Sequence, residues 1–510
     1  MPAQGNDQNP RGLVHPNEAL RPMNKTLLLL TALACSALHA QSGSSMTRPS
    51  DSIETLESVL VKASRGLSQA FAKTEIQRTE LLSSGSGRDL PVLLQWQPSL
   101  IVTSDAGNGV GYTGIRVRGS DATRTLVSVN GVPINDAESQ GVFWVNMPDL
   151  SQSTSSIEIQ RGVGSSSGGT GAFGAGVNIQ TESPNQAQSL LHLSYGSFGT
   201  RKFSLSHSSG WIKDRWSFDL RLSNISSNGF VDRASSELQS YWASATYKAG
   251  KNKSIPIKLL HFGGREKTYQ AWWGVPIEKY SGTAAELQAH YERNLGYTYR
   301  NREDSLNLFQ SQPSQYNYYL YPKETDNYLQ VHTHLYTRLP LGEKQFLNTT
   351  LFHTKGAGYF EQFKPEGNLA DYGVDPGIDS SLWQASITRQ RWLSNHLLGL
   401  NANWENQGTI GQWQAGLFAS QYWGQHFGDI THISTADLAQ SLRYYQSTGN
   451  KFEASTWVKY RSPRSAFGYM NAELQERWVQ QQGLGTDNDL RPVDFNHNYA
   501  FFNPKIGWDW

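Results

Sequence analysis

The chain has 510 residues, with 44 Lys plus Arg against 43 Asp plus Glu, and a net charge of +1 leaves no overall basic face for nucleic acid. Aromatics make up 12%, too many for a disordered chain, and the single cysteine, Cys35, excludes a disulfide scaffold and a multi-cysteine zinc site. No apolar run reaches the roughly 20 residues of a spanning helix.

Residues 1–22 are polar and read as an upstream extension of the frame, ahead of a better start at Met23. Lys25 then precedes an apolar stretch, Leu27 to Leu38, that closes in small residues around Ala40. This is the pattern of an export signal over 23–40, too short to anchor the chain. Cys35 does not make a lipoprotein box, because Ala32 stands where that box has Leu.

Residues 41–79 form an N-terminal segment containing a short β-prone stretch, Ile53 to Ala63. Four blocks follow within 80–183. Asp89-Leu90-Pro91 opens a short helix, with Asp89 as its cap and Pro91 in its first turn, and Pro98 closes it. Ile115 and Val117 alternate with Arg116 and Arg118, which reads as a strand with one apolar face. Val127 to Ile134 reads as a hairpin turning at Asn130-Gly131. Ile157-Glu158-Ile159-Gln160-Arg161-Gly162 is a further strand that leads into a Gly-rich turn. Fourteen glycines fall between Gly107 and Gly176.

Two motifs in this stretch are decoys. Gly109 to Gly114 fits G-x-G-x-x-G, but a strand follows it where a dinucleotide site requires a helix. Gly164 to Gly168 fits G-x-S-x-G, but the residues after it are too Gly-rich for the helix of a nucleophile elbow. The chain shows no credible catalytic triad.

Composition changes near Pro184. Of 23 tyrosines, 22 lie beyond residue 187, as do 14 of 16 tryptophans. Here the pattern has period two: Trp216, Phe218, Leu220 and Leu222 alternate with Ser217, Asp219, Arg221 and Ser223. About twelve such segments reach the C-terminus, each with one apolar and one polar face. Segments of about 10 residues suit a tilted strand crossing a bilayer, and aromatics concentrate in and near them, as interfacial girdles require. A soluble sandwich also alternates, but with strands of only ~5–6 residues. Long connections at 264–322 and 355–388 fit the extracellular loops of a barrel. His332 and His334 share one strand face, with no third metal ligand in view.

The four blocks in their order resemble the plug of the TonB-dependent outer-membrane receptors, and the resemblance extends from about residue 52 to the end. It implies an all-β transmembrane barrel, with an N-terminal α+β plug domain over 80–183 in its lumen and barrel strands over 184–510. It also implies a receptor, not an enzyme, with no cofactor and no bound metal, in the outer membrane of a Gram-negative cell. Its partners would be outer-membrane lipid, the periplasmic TonB protein and an extracellular ligand. Residues 53–63 resemble the TonB box, so Glu57, Ser58, Val59, Leu60 and Val61 are the expected coupling strand. Arg116, Arg118, Arg124 and Arg161, with Asp121, Asp136 and Glu158, are the expected polar ties between plug and barrel. Phe143, Trp144, Tyr269, Trp272 and Trp273 are the expected ligand contacts, with core packing as the other role for Phe143 and Trp144. The family's ligands are ferric siderophores, haem, cobalamin and glycans, and the siderophore ranks first on family frequency alone. Family barrels have about 22 strands. The sequence carries about twelve, so the expectation is a truncated or incomplete chain.

Overall fold

The computed structural model describes residues 72–83, 87–162, 174–182, 186–375, 383–408, 410–435, 438 and 440–509. The export signal, residues 53–63 and the G-x-S-x-G motif lie outside the described residues.

The first layer is a five-stranded sheet. Its strands are β1 (Ala72–Gln77), β4 (Thr125–Val129), β5 (Val132–Pro133), β6 (Thr154–Arg161) and β7 (Ala175–Thr181), and their order across the sheet is β1-β6-β7-β4-β5. A two-stranded ribbon pairs β2 (Leu100–Ser104) with β3 (Thr113–Val117). Short helices α1 (Arg78–Ser83) and α2 (Leu90–Leu93) pack beside them. Ile76, Val117, Val129, Ile157, Ile159, Val177 and Ile179 are at most 1% exposed and form the core. The sheet takes in β1, which the sequence pattern leaves in the preceding segment, because Ala72–Gln77 pairs along β6 from Arg161 to Ser156. The hairpin turns at Asn130 (φ 50°) and Gly131 (φ 80°) as expected, since both positions need the left-handed region. Pro91 sits in the first turn of α2, but the Asp89 side chain makes no cap there. It is buried and accepts from Thr113 Oγ1 at 3.1 Å instead.

The second layer is a twelve-stranded antiparallel meander. The strands are β8 (Ala187–Tyr195), β9 (Arg201–Ser209), β10 (Trp216–Ser227), β11 (Ser236–Ala249), β12 (Ile255–Tyr269), β13 (Thr325–Gly342), β14 (Gln345–Asn368), β15 (Gln384–Gly408), β16 (Gly411–Ile433), β17 (Leu442–Arg461), β18 (Tyr469–Thr486) and β19 (Pro492–Asp509). They neighbour one another in strict chain order. Among the described residues the end strands, β8 and β19, do not pair with each other. Several strands are far longer than a bilayer crossing requires, up to 25 residues in β15. Much of the expected loop 355–388 is therefore strand, because backbone pairing continues to Asn368 and Gln384 past a bulge at Lys364–Gly367.

Burial runs opposite to that of a soluble sheet. Trp216, Phe218, Leu220 and Leu222 are 43–48% exposed, whereas the alternating Ser217, Arg221 and Ser223 are buried. Leu205, Leu259, Leu335, Leu351, Leu398 and Leu417 continue the outward apolar band. Such a surface is stable only against lipid. Trp216 packs against Tyr247 and Trp413 against Tyr460 near one rim, the position of an interfacial girdle. That rim carries short turns at 210–215, 250–254, 343–344 and 462–468. The opposite rim carries the longer connections 228–235 and 270–324. No helix among the described residues is long and apolar enough to cross a membrane.

The longest connection has its own architecture. Its helices are α3 (Ile277–Ser281), α4 (Ala284–Arg293) and α5 (Arg302–Gln310). Thr283 with Glu286, and Asn301 with Asp304, close reciprocal capping boxes on the last two. Tyr299, Leu308 and Tyr316 form a small separate core beneath them.

Candidate functional site: the plug against the wall

The plug packs on the inward face of the sheet. Trp242, Leu260, Phe262, Tyr336, Phe352 and Phe418 of the wall join the plug's Trp144 and Met147 in one buried cluster. His332 and His334 belong to this greasy part of the wall. His332 stacks on Phe262 at 4.7 Å and its Nδ1 meets Thr354 Oγ1 at 2.9 Å, while His334 Nδ1 meets Tyr336 Oη at 2.7 Å. Gly264 of β12 is one place where the wall runs directly against the plug backbone. A Cβ there would lie 2.5 Å from the Asn146 carbonyl oxygen and closer still to Pro148.

Polar ties hold the plug at two further places. Asp149, in the left-handed region (φ 59°, ψ 24°), follows Pro148 and points its carboxylate at the wall. Lys202 Nζ of β9 donates to it, Ser223 Oγ of β10 donates at 2.6 Å, and Arg221 stands 3.7 Å away. The side chains of Asp149 and Lys202 are each 1% exposed, so this is a fully desolvated ionic anchor. The second tie is the plug loop 135–142. Glu138 Oε2 accepts from Tyr422 Oη at 2.8 Å and lies 2.7 Å from His426 Nε2. Lys451 Nζ donates to the Ala137 carbonyl at 2.8 Å. Burial favours the neutral acid at Glu138, but the bonds from His426 and Tyr422 outweigh it and hold the carboxyl below its usual range.

Between the plug apex and the wall, toward the rim of long connections, lies a chamber of about 350 Å³. The plug supplies Tyr112, Asp136, Phe143 and Asn146, and the wall supplies Tyr328, Phe360, Arg391, Trp392 and His426. The Arg391 guanidinium sits 5.0 Å over the Phe360 ring and donates to Asn488 Oδ1 at 2.6 Å. Trp392 packs on Tyr359 at 4.5 Å and on Phe427 at 5.7 Å. Tyr112 Oη donates to Glu266 Oε1 at 3.2 Å, and burial followed by the Glu266 charge raises the phenol far above its ordinary range. The chamber thus combines flat aromatic walls, one guanidinium and several acceptors, a lining suited to a rigid ligand with both charge and rings.

The structure distributes the expected plug ties differently. Arg116, Arg118, Arg124 and Asp121 lie on an exposed plug face, where the Asp121 side chain accepts from Thr123 N at the start of a 3-10 turn. Glu158 pairs with Lys73 across β1 and β6 at 3.5 Å. Arg161 Nε donates to the Pro98 carbonyl at 3.0 Å. Asp136 caps its own loop through Ser139 N at 2.7 Å. These four bonds all stay within the plug. Local alternation shows which side chains leave a strand's apolar face, but not which plug surface meets the barrel. Two of the ties that do cross, Asp149 and Glu138, sit in irregular segments where no periodicity marks them. The only sequence signal for Glu138 was its place in a polar run between the hairpin and Phe143.

The expected ligand contacts separate in the same way. Phe143 is 46% exposed and lines the chamber, whereas Trp144 is 4% exposed and serves the core. Trp272 and Trp273 are exposed at the long-connection rim, within 5.8 Å and 4.9 Å of Tyr319 and Tyr318. Tyr269 is buried, with its hydroxyl donating to the Tyr321 carbonyl at 2.7 Å. The segment Gly109–Gly114 runs into β3 with no helix behind it, which removes the dinucleotide geometry. Among the described residues no group of three His, Cys, Asp or Glu side chains is gathered to hold a metal ion.

The family model of the TonB-dependent receptor plug domain matches residues 67–176. Residues 67–176 thus carry a plug domain of the TonB-dependent receptor type. The chain is 25% identical over 165 residues to the probable TonB-dependent siderophore receptor PirA of Acinetobacter baumannii, a match covering 30% of this chain and 22% of that one. The ferric-catecholate import receptor Fiu of Escherichia coli K12 shares the fold with a TM-score of 0.62 at 14% identity, over 86% of this chain and 66% of that chain. The siderophore receptor PiuA of A. baumannii does so with a TM-score of 0.58 at 11% identity, over 86% and 62%. The chain therefore spans just under two thirds of the length of Fiu and about a fifth of that of PirA.

Proposed function

We propose that this receptor chain takes a ferric siderophore from outside the cell at the chamber between plug and wall, and serves its import across the outer membrane. The observation that carries the reading is the chamber itself. It lies on the side of the long connections, is floored by plug residues and holds Arg391 and Trp392, a cation and a ring suited to an anionic aromatic iron chelate. Several similar proteins bear siderophore or ferric-chelate names, which supports that ligand class over haem, cobalamin or glycan.

Import in this reading draws on energy relayed through the periplasmic TonB protein, which adds Glu57 to Val61 as a strand. Backbone bonding gives affinity there with little demand on side chains. The same reading places the mature chain in the outer membrane after removal of the export signal.

The test is uptake of radiolabelled iron by cells carrying the gene, offered ferric catecholates and hydroxamates, with haem, cobalamin and glycans as competing substrates. Proline at Ser58, Val59 or Leu60 removes a backbone donor and should abolish accumulation while leaving surface binding intact. Accumulation that survives all three substitutions overturns the coupling role. Uptake of one of the other ligands with none of iron overturns the siderophore.

A further inference from the structure

A second cavity of about 300 Å³ adjoins the chamber and shares Tyr112, Asp326 and Phe360 with it. The chamber has Arg391 and His426 in its lining, beside the acids Asp136, Glu266 and Asp326. The charged groups lining the second cavity are Asp105 and Asp326 alone, beside the rings of Tyr269 and Trp272. Glu266, 1% exposed, stands at the junction, its carboxylate taking bonds from Tyr112 Oη at 3.2 Å and Thr268 Oγ1 at 2.7 Å. In the β12–β13 register Glu266 faces Tyr328 and Thr268 faces Asp326, so Glu266 and Asp326 occupy diagonal positions.

Three carboxyl groups therefore converge where the two spaces meet. Among the described residues the lining of the second cavity includes no Lys or Arg. A carboxylate withdrawn from water without a cation is costly, so such a site either stays protonated or receives its cation from outside. A further acceptor is left over on the chamber side. Asn146 is 4% exposed and its Oδ1 has no hydrogen-bond partner. Rings beside carboxylates, with no competing base, make a surroundings that selects an ammonium group.

We propose that the second cavity receives a protonated amine carried by the ligand, so that the preferred ligand is an iron chelate with a free amino branch. This rests on the chamber being the ligand site. The chelate occupies the space beside Arg391 and Trp392, and the branch passes Phe360 and Tyr112 to reach Asp326 and Asp105. Selectivity then comes from the acidic side, because a neutral branch leaves these carboxyl groups without a partner.

The test uses the full chain in detergent and ferric desferrioxamine B, which bears a free primary amine, against its N-acetyl derivative. The readout is quenching of tryptophan fluorescence. The expected result is at least about tenfold tighter binding of the amine form. Asp105→Asn should abolish that preference and leave affinity for the acetyl form within about twofold, which also reports correct folding. Equal affinity of the two forms for the unaltered chain, or a preference that persists in Asp105→Asn, overturns the proposal.

Pentylammonium and 1-pentanol are titrated in parallel by thermal shift. Stabilisation by the ammonium alone, lost in Asp105→Asn, sustains the acidic cavity even where neither chelate binds, and in that case it is the iron-chelate reading that fails. If neither the chelates nor pentylammonium bind, the proposal falls.

Discussion

Replacing Asp149 with Ala separates an ionic anchor from mere packing. The substitution leaves Lys202 and Arg221 buried, facing each other without their anion. Removing one member of a buried pair costs about 3–5 kcal/mol, and two stranded cations place this case at the upper end. Lys202→Met should cost less, about 1–2 kcal/mol, because Asp149 keeps Arg221 at 3.7 Å and the Ser223 hydroxyl at 2.6 Å. The plug can be followed without the barrel through a cysteine introduced at Val129, which is fully buried in the plug core, and its thiol labelling measured against urea. With a slope near 2 kcal/mol/M for a domain of this size, Asp149→Ala should lower the labelling midpoint by about 1.5–2.5 M. Lys202→Met should lower it by less than half as much. An unchanged midpoint in Asp149→Ala, or equal losses in the two variants, would refute the anchor.

Asp89 gives a pH prediction. Burial, outweighing the Thr113 bond, pushes its carboxyl up to about 8 from 3.8. A raised acid favours the folded plug at low pH, and that contribution is lost as pH rises from about 4 through about 8, by on the order of 5–6 kcal/mol. The wild-type labelling midpoint should therefore fall between pH 5 and pH 8, whereas Asp89→Asn should flatten the profile; identical wild-type midpoints at the two values count against it. Glu138 has the opposite sign, since its lowered carboxyl holds the plug loop above about pH 4.5 and releases it as pH falls through its folded value. Glu138→Gln should cost about 1 kcal/mol and speed labelling of a cysteine at Ser139, and an unchanged rate would remove its role as a tie. Gly264→Ala drives a methyl into the plug backbone at Asn146 and should cost about 1–3 kcal/mol in the same urea assay, with no loss expected if plug and wall are not in contact there.

The alternation of Trp216, Phe218, Leu220 and Leu222 with Ser217, Arg221 and Ser223 was enough to assign the wall, because side-chain direction in a strand has period two and a bilayer reverses the usual burial. The plug strands and the Asn130-Gly131 turn were legible for the same reason: their causes lie within a few residues of chain. Strand length was not, because pairing beyond the membrane band depends on the neighbouring strand and not on the strand's own pattern.

The site was legible least. Phe143 and Trp144 are adjacent and chemically alike, and nothing local tells which of them meets the chamber and which the core. Asp149 became an anchor only because a left-handed turn after Pro148 aims it at Lys202, more than fifty residues away in sequence. Arg116, Arg118 and Arg124 carry the charge expected of ties and are exposed. Local sequence sets dihedral preference and facing, and so it determined the elements and the class of fold. Which groups meet across the plug–wall gap depends on the rigid-body placement of one layer on the other, which is fixed by the summed packing of Trp242, Phe262, Phe352 and their neighbours, and only the tertiary structure decides that.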